Sequence, residues 1–265
     1  MNNSSYKTER SSISQQKTSQ ESSKKLNNRL TAGFTYYEEP HKLEIQMKVW
    51  EQWPSMVDIF LVDDGSSRTR AEEVLEGWEL PEWGATLQLW RCTRDLGFNS
   101  HGCRNLIAKY AQTDVIAFFD IDQIMYPGDV ARLKKFNFYP DQIMHHYLYF
   151  KDKQVVIDRL GHMNCFMIHK DLFWKAGGYD ESFTGHHWGD REFLDRIWKA
   201  EARKRHSGCI VELNRGGREG YINHNITKSQ YVDDDLYFAP LSQKEIKKLR
   251  GSVKKRLNFP FIRIL

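Results

Sequence analysis

The sequence has no run of about 18 apolar residues, and its first thirty residues lack the apolar stretch of a secretory leader. A soluble, cytoplasmic protein is therefore expected. Cysteine is scarce: Cys92, Cys103, Cys165 and Cys209 form no C-x-x-C pair, which excludes a disulfide framework or a zinc knuckle and fits reduced thiols. An excess of one charge is also missing. Lys+Arg number 39 against Asp+Glu 35, a net of +4, too even for a dedicated nucleic-acid binder and enough only for a modest attraction to phosphorylated ligands. Large apolar side chains are nearly absent before residue 29, where Ser, Asn, Gln, Lys and Thr dominate. Such a stretch cannot offset the entropy of ordering its backbone, so residues 1–28 are expected to be a disordered tail.

Residues 29–240 read as one α/β domain. A chain of 265 residues can bury about three quarters of its unfolded surface, so a sizeable core is feasible. Short apolar runs at Leu30–Thr35, Val57–Val62, Thr86–Trp90 and Val115–Phe119 predict strands. Between them, Lys42–Trp50 and His101–Ala111 carry apolar residues at helical spacing, as does Asp190–Ala200 with Phe193, Leu194, Ile197 and Trp198. Alternation of this kind predicts a mostly parallel, Rossmann-like sheet flanked by helices. Further apolar runs at Ile143–Phe150 and Cys165–Ile168 belong to a second half of mixed elements. Residues 241–265 form a separate end, a basic helix over Gln243–Arg256 and then an apolar run from Phe259 to Leu265. That end either packs in the ordinary way or makes weak contact with a membrane surface.

Four groups of residues stand where chemistry is possible. Asp63, Asp64 and Gly65 close an apolar strand, at the sheet edge where open α/β sheets bind ligands. Asp64 can accept a hydrogen bond from a nucleobase or ribose, although an Asp-Gly turn alone explains the pattern. Asp120 and Asp122 close another strand after four apolar residues, and two carboxylates so spaced can address one divalent cation. Asp190 begins a helix, where the macrodipole favours its ionised form; a general base and a simple helix cap are equally compatible readings. His224, in Tyr221-Ile222-Asn223-His224-Asn225, is a possible third metal ligand among ten histidines. Trp188 can stack beneath a sugar ring or pack in the core. His186 and His187 beside it stay outside the catalytic set.

Taken together and in order, these blocks resemble the GT-A glycosyltransferases of family 2, over about Leu30 to His224. The third block, Gly177-Gly178-Tyr179-Asp180 followed by Trp188-Gly189-Asp190-Arg191-Glu192-Phe193, looks like the galactosyltransferase and chondroitin-polymerase branch. Thr35-Tyr36-Tyr37 matches the family's Thr-Tyr-Asn turn, and Asp95-Leu96-Gly97 leading to Arg104-Asn105 matches its Asn-x-Gly segment and Arg-Asn pair. The resemblance implies that Phe34, Tyr36 and Asp64 line the base pocket, and that Arg104 approaches the nucleotide. It implies further that Asp120 touches ribose or metal, that Asp122 and His224 hold Mn²⁺ or Mg²⁺, and that Asp190 is the catalytic base. Three positions depart from the pattern: Tyr37 replaces Asn, Gln123 replaces an acid after the D-x-D, and Gly189 replaces the Glu before the catalytic Asp.

The expected activity is an inverting transfer from a nucleoside-diphosphate sugar, with UDP as the family's commonest carrier, to a hydroxyl of a glycan or glycoconjugate. No nucleic-acid partner is expected. A sugar nucleotidyltransferase is disfavoured because Ala32-Gly33-Phe34-Thr35 offers one glycine and no following basic residue for a triphosphate loop. A non-catalytic binding protein of the same fold remains open through the loss of Glu at Gly189.

Overall fold

The computed structural model describes residues 29–81, 85–133, 135–150, 155–157, 163–184, 189–200, 202–213, 231–232, 237–238 and 257–265. The tail expected at residues 1–28 and the basic helix expected at 243–256 lie outside these described residues. Four parallel strands form where the first apolar runs predict them: β1 (Leu30–Tyr36), β2 (Val57–Asp63), β3 (Leu87–Cys92) and β4 (Val115–Asp120). Three of them run one residue beyond the apolar stretch because the ladder itself continues, Tyr36 opposite Asp63 and Thr35 opposite Asp120.

Side-chain alternation then assigns two faces. Ala32, Phe34, Ile59, Leu61, Ala117 and Phe119 bury one face with Trp50 and Trp53 from α1 (Pro40–Trp50) and the residues just after it. A short α2 (Ala71–Val74) follows β2. On the opposite face, Phe60, Val62, Ile116 and Phe118 pack against Leu106 and Ile107 of α3 (Ser100–Tyr110). Each such fully buried aromatic or branched side chain contributes about 1.5–3 kcal/mol of transfer free energy. Helix α3 approaches the sheet closely at Gly33, where a Cβ would stand 2.6 Å from Ile107 Cγ2.

The second half adds β5 (Gln123–Met125), α4 (Pro127–Leu133), β6 (Gln142–Phe150), β7 (Val155–Ile157), β8 (Phe166–His169) and α5 (Lys170–Lys175). After a 3₁₀ turn at Glu181–Phe183 come α6 (Gly189–Lys199), β9 (Arg203–Leu213), a two-residue hairpin of β10 (Tyr231–Val232) with β11 (Tyr237–Phe238), and β12 (Phe261–Arg263). The large sheet runs β12-β3-β2-β1-β4-β8-β6-β9-β5, with β7 on β6. It is parallel at its centre, and β8 joins β4 antiparallel. Strand order reverses between β1 and β4, so the crevice beyond their carboxyl ends is the place for a ligand.

Two parts of the sequence take unexpected places. β9 opens with Arg203-Lys204-Arg205-His206, a charged run that reads as solvated loop, yet pairs in parallel with β6 while its side chains stay largely exposed. The apolar C-terminal run, expected as a separate end, supplies β12 on the free edge of β3. Phe259 is buried, and Phe261 rests on Trp90 and Tyr110 at ring distances of 5.8 and 6.1 Å. These side chains thus face the protein. No helix of the described residues is long and apolar enough to cross a membrane.

Valine at position 33 raises strand propensity, but its Cβ alone already meets Ile107 Cγ2 at 2.6 Å and Cδ1 at 3.0 Å. Gly33→Val should lower stability by about 1–3 kcal/mol, as overpacked cores do, read as a drop in the denaturant midpoint.

Candidate active site

The two aspartates ending β2 divide their work. Asp63 accepts from the N–H of Ser66 and of Ala71, both at 2.8 Å, and so fastens the loop leading to α2. Gly65 turns that loop at φ +88°, where a Cβ would lie 2.8 Å from the Arg94 carbonyl oxygen. Asp64 instead faces α3, its Oδ2 accepting from the Asn99 N–H at 2.8 Å. Its Oδ1 is buried, with the Cys103 thiol beside the carboxylate helping to hold it. Burial pushes this carboxyl up to about 8, against the opposing pull of the Asn99 N–H.

Cys92 and Cys103 lie beneath Asp64 with their Sγ atoms 4.0 Å apart. Among the described residues these three form the only cluster of His, Cys, Asp or Glu with metal-ligand spacing. Burial holds the Cys103 thiol well above its ordinary range. Two such sulfurs suit a soft metal, whereas Mn²⁺ and Mg²⁺ take oxygen ligands, so this cluster is not the expected cation site.

At the end of β1 the expectation needs correction. Phe34 is fully buried between Trp50 and Phe119, at ring distances of 4.9 and 5.3 Å, and Tyr36 is buried on the same face with its hydroxyl donating to the Thr69 carbonyl at 2.7 Å. Strand alternation sends both away from the crevice and into the α1 layer. The aromatic that turns toward the crevice side is Tyr37, whose hydroxyl donates to Asp95 Oδ2 at 2.8 Å, while Asp95 Oδ1 accepts from the Gly97 N–H. The Tyr37 departure from the family pattern thus meets the segment that matches its Asn-x-Gly. Glu38 adds a feature no motif announced. At φ +52°, its carboxylate accepts from the N–H groups of Ser67, Arg68 and Thr69 at 2.6, 2.7 and 3.0 Å. Burial raises this acid, but the three donors outweigh burial and leave its pKa below the usual value.

Arg104 joins the remaining acids. Its guanidinium is 1% exposed and donates to Asp190 Oδ1 through one nitrogen and to Asp120 Oδ1, at 2.6 Å, through the other. The Tyr179 hydroxyl lies 3.3 Å from Nη1. Asp120 is held on its second oxygen by Gln123 and Asn164, each at 3.2 Å, so Gln123 serves the first acid where the family pattern has a third. Asn105, next in α3, accepts from the Tyr179 N–H at 2.8 Å and donates to Tyr179 O and to Glu181 Oε1. That clamp requires Gly178, at φ +64°, because a Cβ there would meet Asn105 Oδ1 at 2.8 Å. Asp190 is the second residue of α6 and is buried; burial pushes its carboxyl up to about 6, with Arg104 opposing the rise. Asp122 sits half-buried in the turn just past β4. Asp63 and Asp120 are separated by β1 alone, about 10 Å across two strand spacings, so the expected acids share one end of the sheet. Trp188 and His224, expected at the sugar and the cation, lie outside the described residues.

A central β3-β2-β1-β4 sheet with acids at the ends of β2 and β4 defines a GT-A fold. Residues 35–195, more than half the chain, match the glycosyl transferase family 2 profile, and the chain belongs to that family. Among solved structures it is similar to the mannosyltransferase PcManGT from Pyrobaculum calidifontis, in complex with GDP-Man and Mn²⁺. The TM-score is 0.55 at 13% identity, over 72% of this chain and 58% of that one. It is also similar to S. aureus TarS, with a TM-score of 0.53 at 12% identity, over 70% of this chain and 35% of that one. No curated protein sequence matches the chain.

Held near 6, the Asp190 carboxyl must lose its proton before it can accept one from an acceptor hydroxyl, the role the family resemblance implies for it. In the free enzyme kcat/KM should therefore rise with pH through a midpoint near 6, and a flat profile from pH 5 to 8 would exclude Asp190 from that role.

Proposed function

We propose that this protein transfers a sugar, with inversion, from a nucleoside-diphosphate carrier to a hydroxyl of a glycan or glycoconjugate, with UDP the favoured carrier. The observation that carries this reading is the Arg104 guanidinium spanning Asp120 and Asp190. It sets a carboxylate of general-base strength one side chain away from the D-x-D end of β4. Asp64, fixed by the Asn99 N–H, closes β2 on the base side of the crevice, and Tyr37 flanks the base from the end of β1.

Asp120 and Asp122 present oxygen donors at the open end of the sheet, a set that fits a hard divalent cation such as Mn²⁺ or Mg²⁺. Asp122 would hold it, with Asp120 and His224 as further ligands, and the bound cation would neutralise charge on the departing diphosphate. Asp190 removes the proton of the acceptor hydroxyl, whose oxygen then attacks the anomeric carbon from the face opposite the diphosphate. Arg104 and Tyr179 fix the direction of the Asp190 carboxylate. Trp188, just before α6, is assigned to the sugar face.

Asp190→Asn keeps the polar contact with Arg104 and removes the base. It should lower kcat by about 10² to 10⁴ while stabilisation by donor persists, and parent-level turnover would refute the assignment. A panel of nucleotide sugars with Mn²⁺ should raise the melting temperature, a ligand at a hundred times its Kd adding about 2.7 kcal/mol. Asp122→Ala should abolish the metal-dependent part of that shift; an unchanged shift would move the cation elsewhere.

A further inference from the structure

His101 and Gly189 meet where α3 passes the first turn of α6. A Cβ on Gly189 would lie 2.5 Å from His101 Cδ2, 2.8 Å from Cε1 and closer still to Nε2. The edge of the imidazole therefore fills the volume that any side chain at position 189 would need. The ring is fully buried, with Phe98, Tyr179 and Phe183 around it at centroid distances of 5.7, 5.5 and 6.4 Å. His101 stands three residues before Arg104 in α3, so the two side chains share one helix face. They address consecutive residues of α6: His101 abuts the backbone at Gly189, and Arg104 grips the carboxylate of Asp190.

We infer that His101 is a positioning residue for the transfer. It sets how deeply the first turn of α6 seats against α3, and with that the distance of the Asp190 carboxylate from Asp120. Position 189 is glycine because the imidazole has taken its side-chain space, so the acid that the family pattern places there has no room in this chain. The inference rests on Asp190 as the base, and a displacement of about 1 Å at such a group costs on the order of 10²-fold in rate.

The test compares Gly189→Ala, His101→Ala and the double variant for kcat, donor KM and melting temperature. Gly189→Ala should lower kcat by about 10²-fold with donor KM nearly unchanged. In the His101→Ala background the same methyl should cost almost nothing, because the atoms it strikes are gone. His101→Gln, which restores polar bulk, should recover part of the kcat lost in His101→Ala. A methyl at 189 that leaves kcat intact, or one whose penalty is equal in both backgrounds, overturns the proposal. So does coupling seen in melting temperature alone with kcat unmoved, which reduces the contact to packing. Should Gly189→Ala fail to fold, His101→Ala at full kcat is the overturning result. Melting-temperature coupling between the two positions needs no turnover, and Asp190→Asn tests the base separately, so failure of one reading is distinguishable from failure of the other.

Discussion

A guanidinium buried between two carboxylates is the interaction on which the rest of this structure depends. Arg104 has almost no contact with water, and its planar fork lets each terminal nitrogen serve a different acid. Removing the guanidinium would leave two carboxylates facing each other, whereas removing one acid leaves Arg104 paired with the other. The arrangement therefore resists drift at both ends. It joins the end of β4 to the start of α6, elements 70 residues apart by their Asp120 and Asp190, and makes the position of one a condition for the position of the other.

Helix α3 distributes that constraint. Within about two turns, from its N-cap onward, it sends the Asn99 N–H to Asp64, His101 to Gly189, Arg104 to two acids and Asn105 to the Gly178-Tyr179 loop. Its distance from the sheet is set by the missing side chain at Gly33. A regular helix pressed onto a parallel sheet is a stiffer support than a set of loops, which suits a site whose reacting groups must hold their spacing.

The central strands and their helices were legible because apolar runs at the right lengths leave few alternatives, and Leu30–Thr35 or Val115–Phe119 lead directly to β1 and β4. The acids at strand ends were legible as well, since chain order alone puts Asp64 and Asp120 on one edge. Orientation was not. Phe34 and Tyr36 share a parity that a motif cannot reveal, and only the sheet's layering shows that this parity points into the α1 core. β9 escaped because its charged first half looks like solvated chain, although a half-exposed strand needs little apolar content. The pairing of β12 with β3 depends on a contact between distant parts of the chain, which no local pattern encodes. Nor does any spacing rule predict that an imidazole on α3 would occupy the room of residue 189.

The ring of backbone N–H groups at residues 67–69 has the form of an anion cradle, and the chain has filled it with its own Glu38. The cradle is thereby spent inside the protein: Glu38 ties the end of β1 to the loop before α2, and its ionised form, favoured by three donors, is a condition for that loop's course.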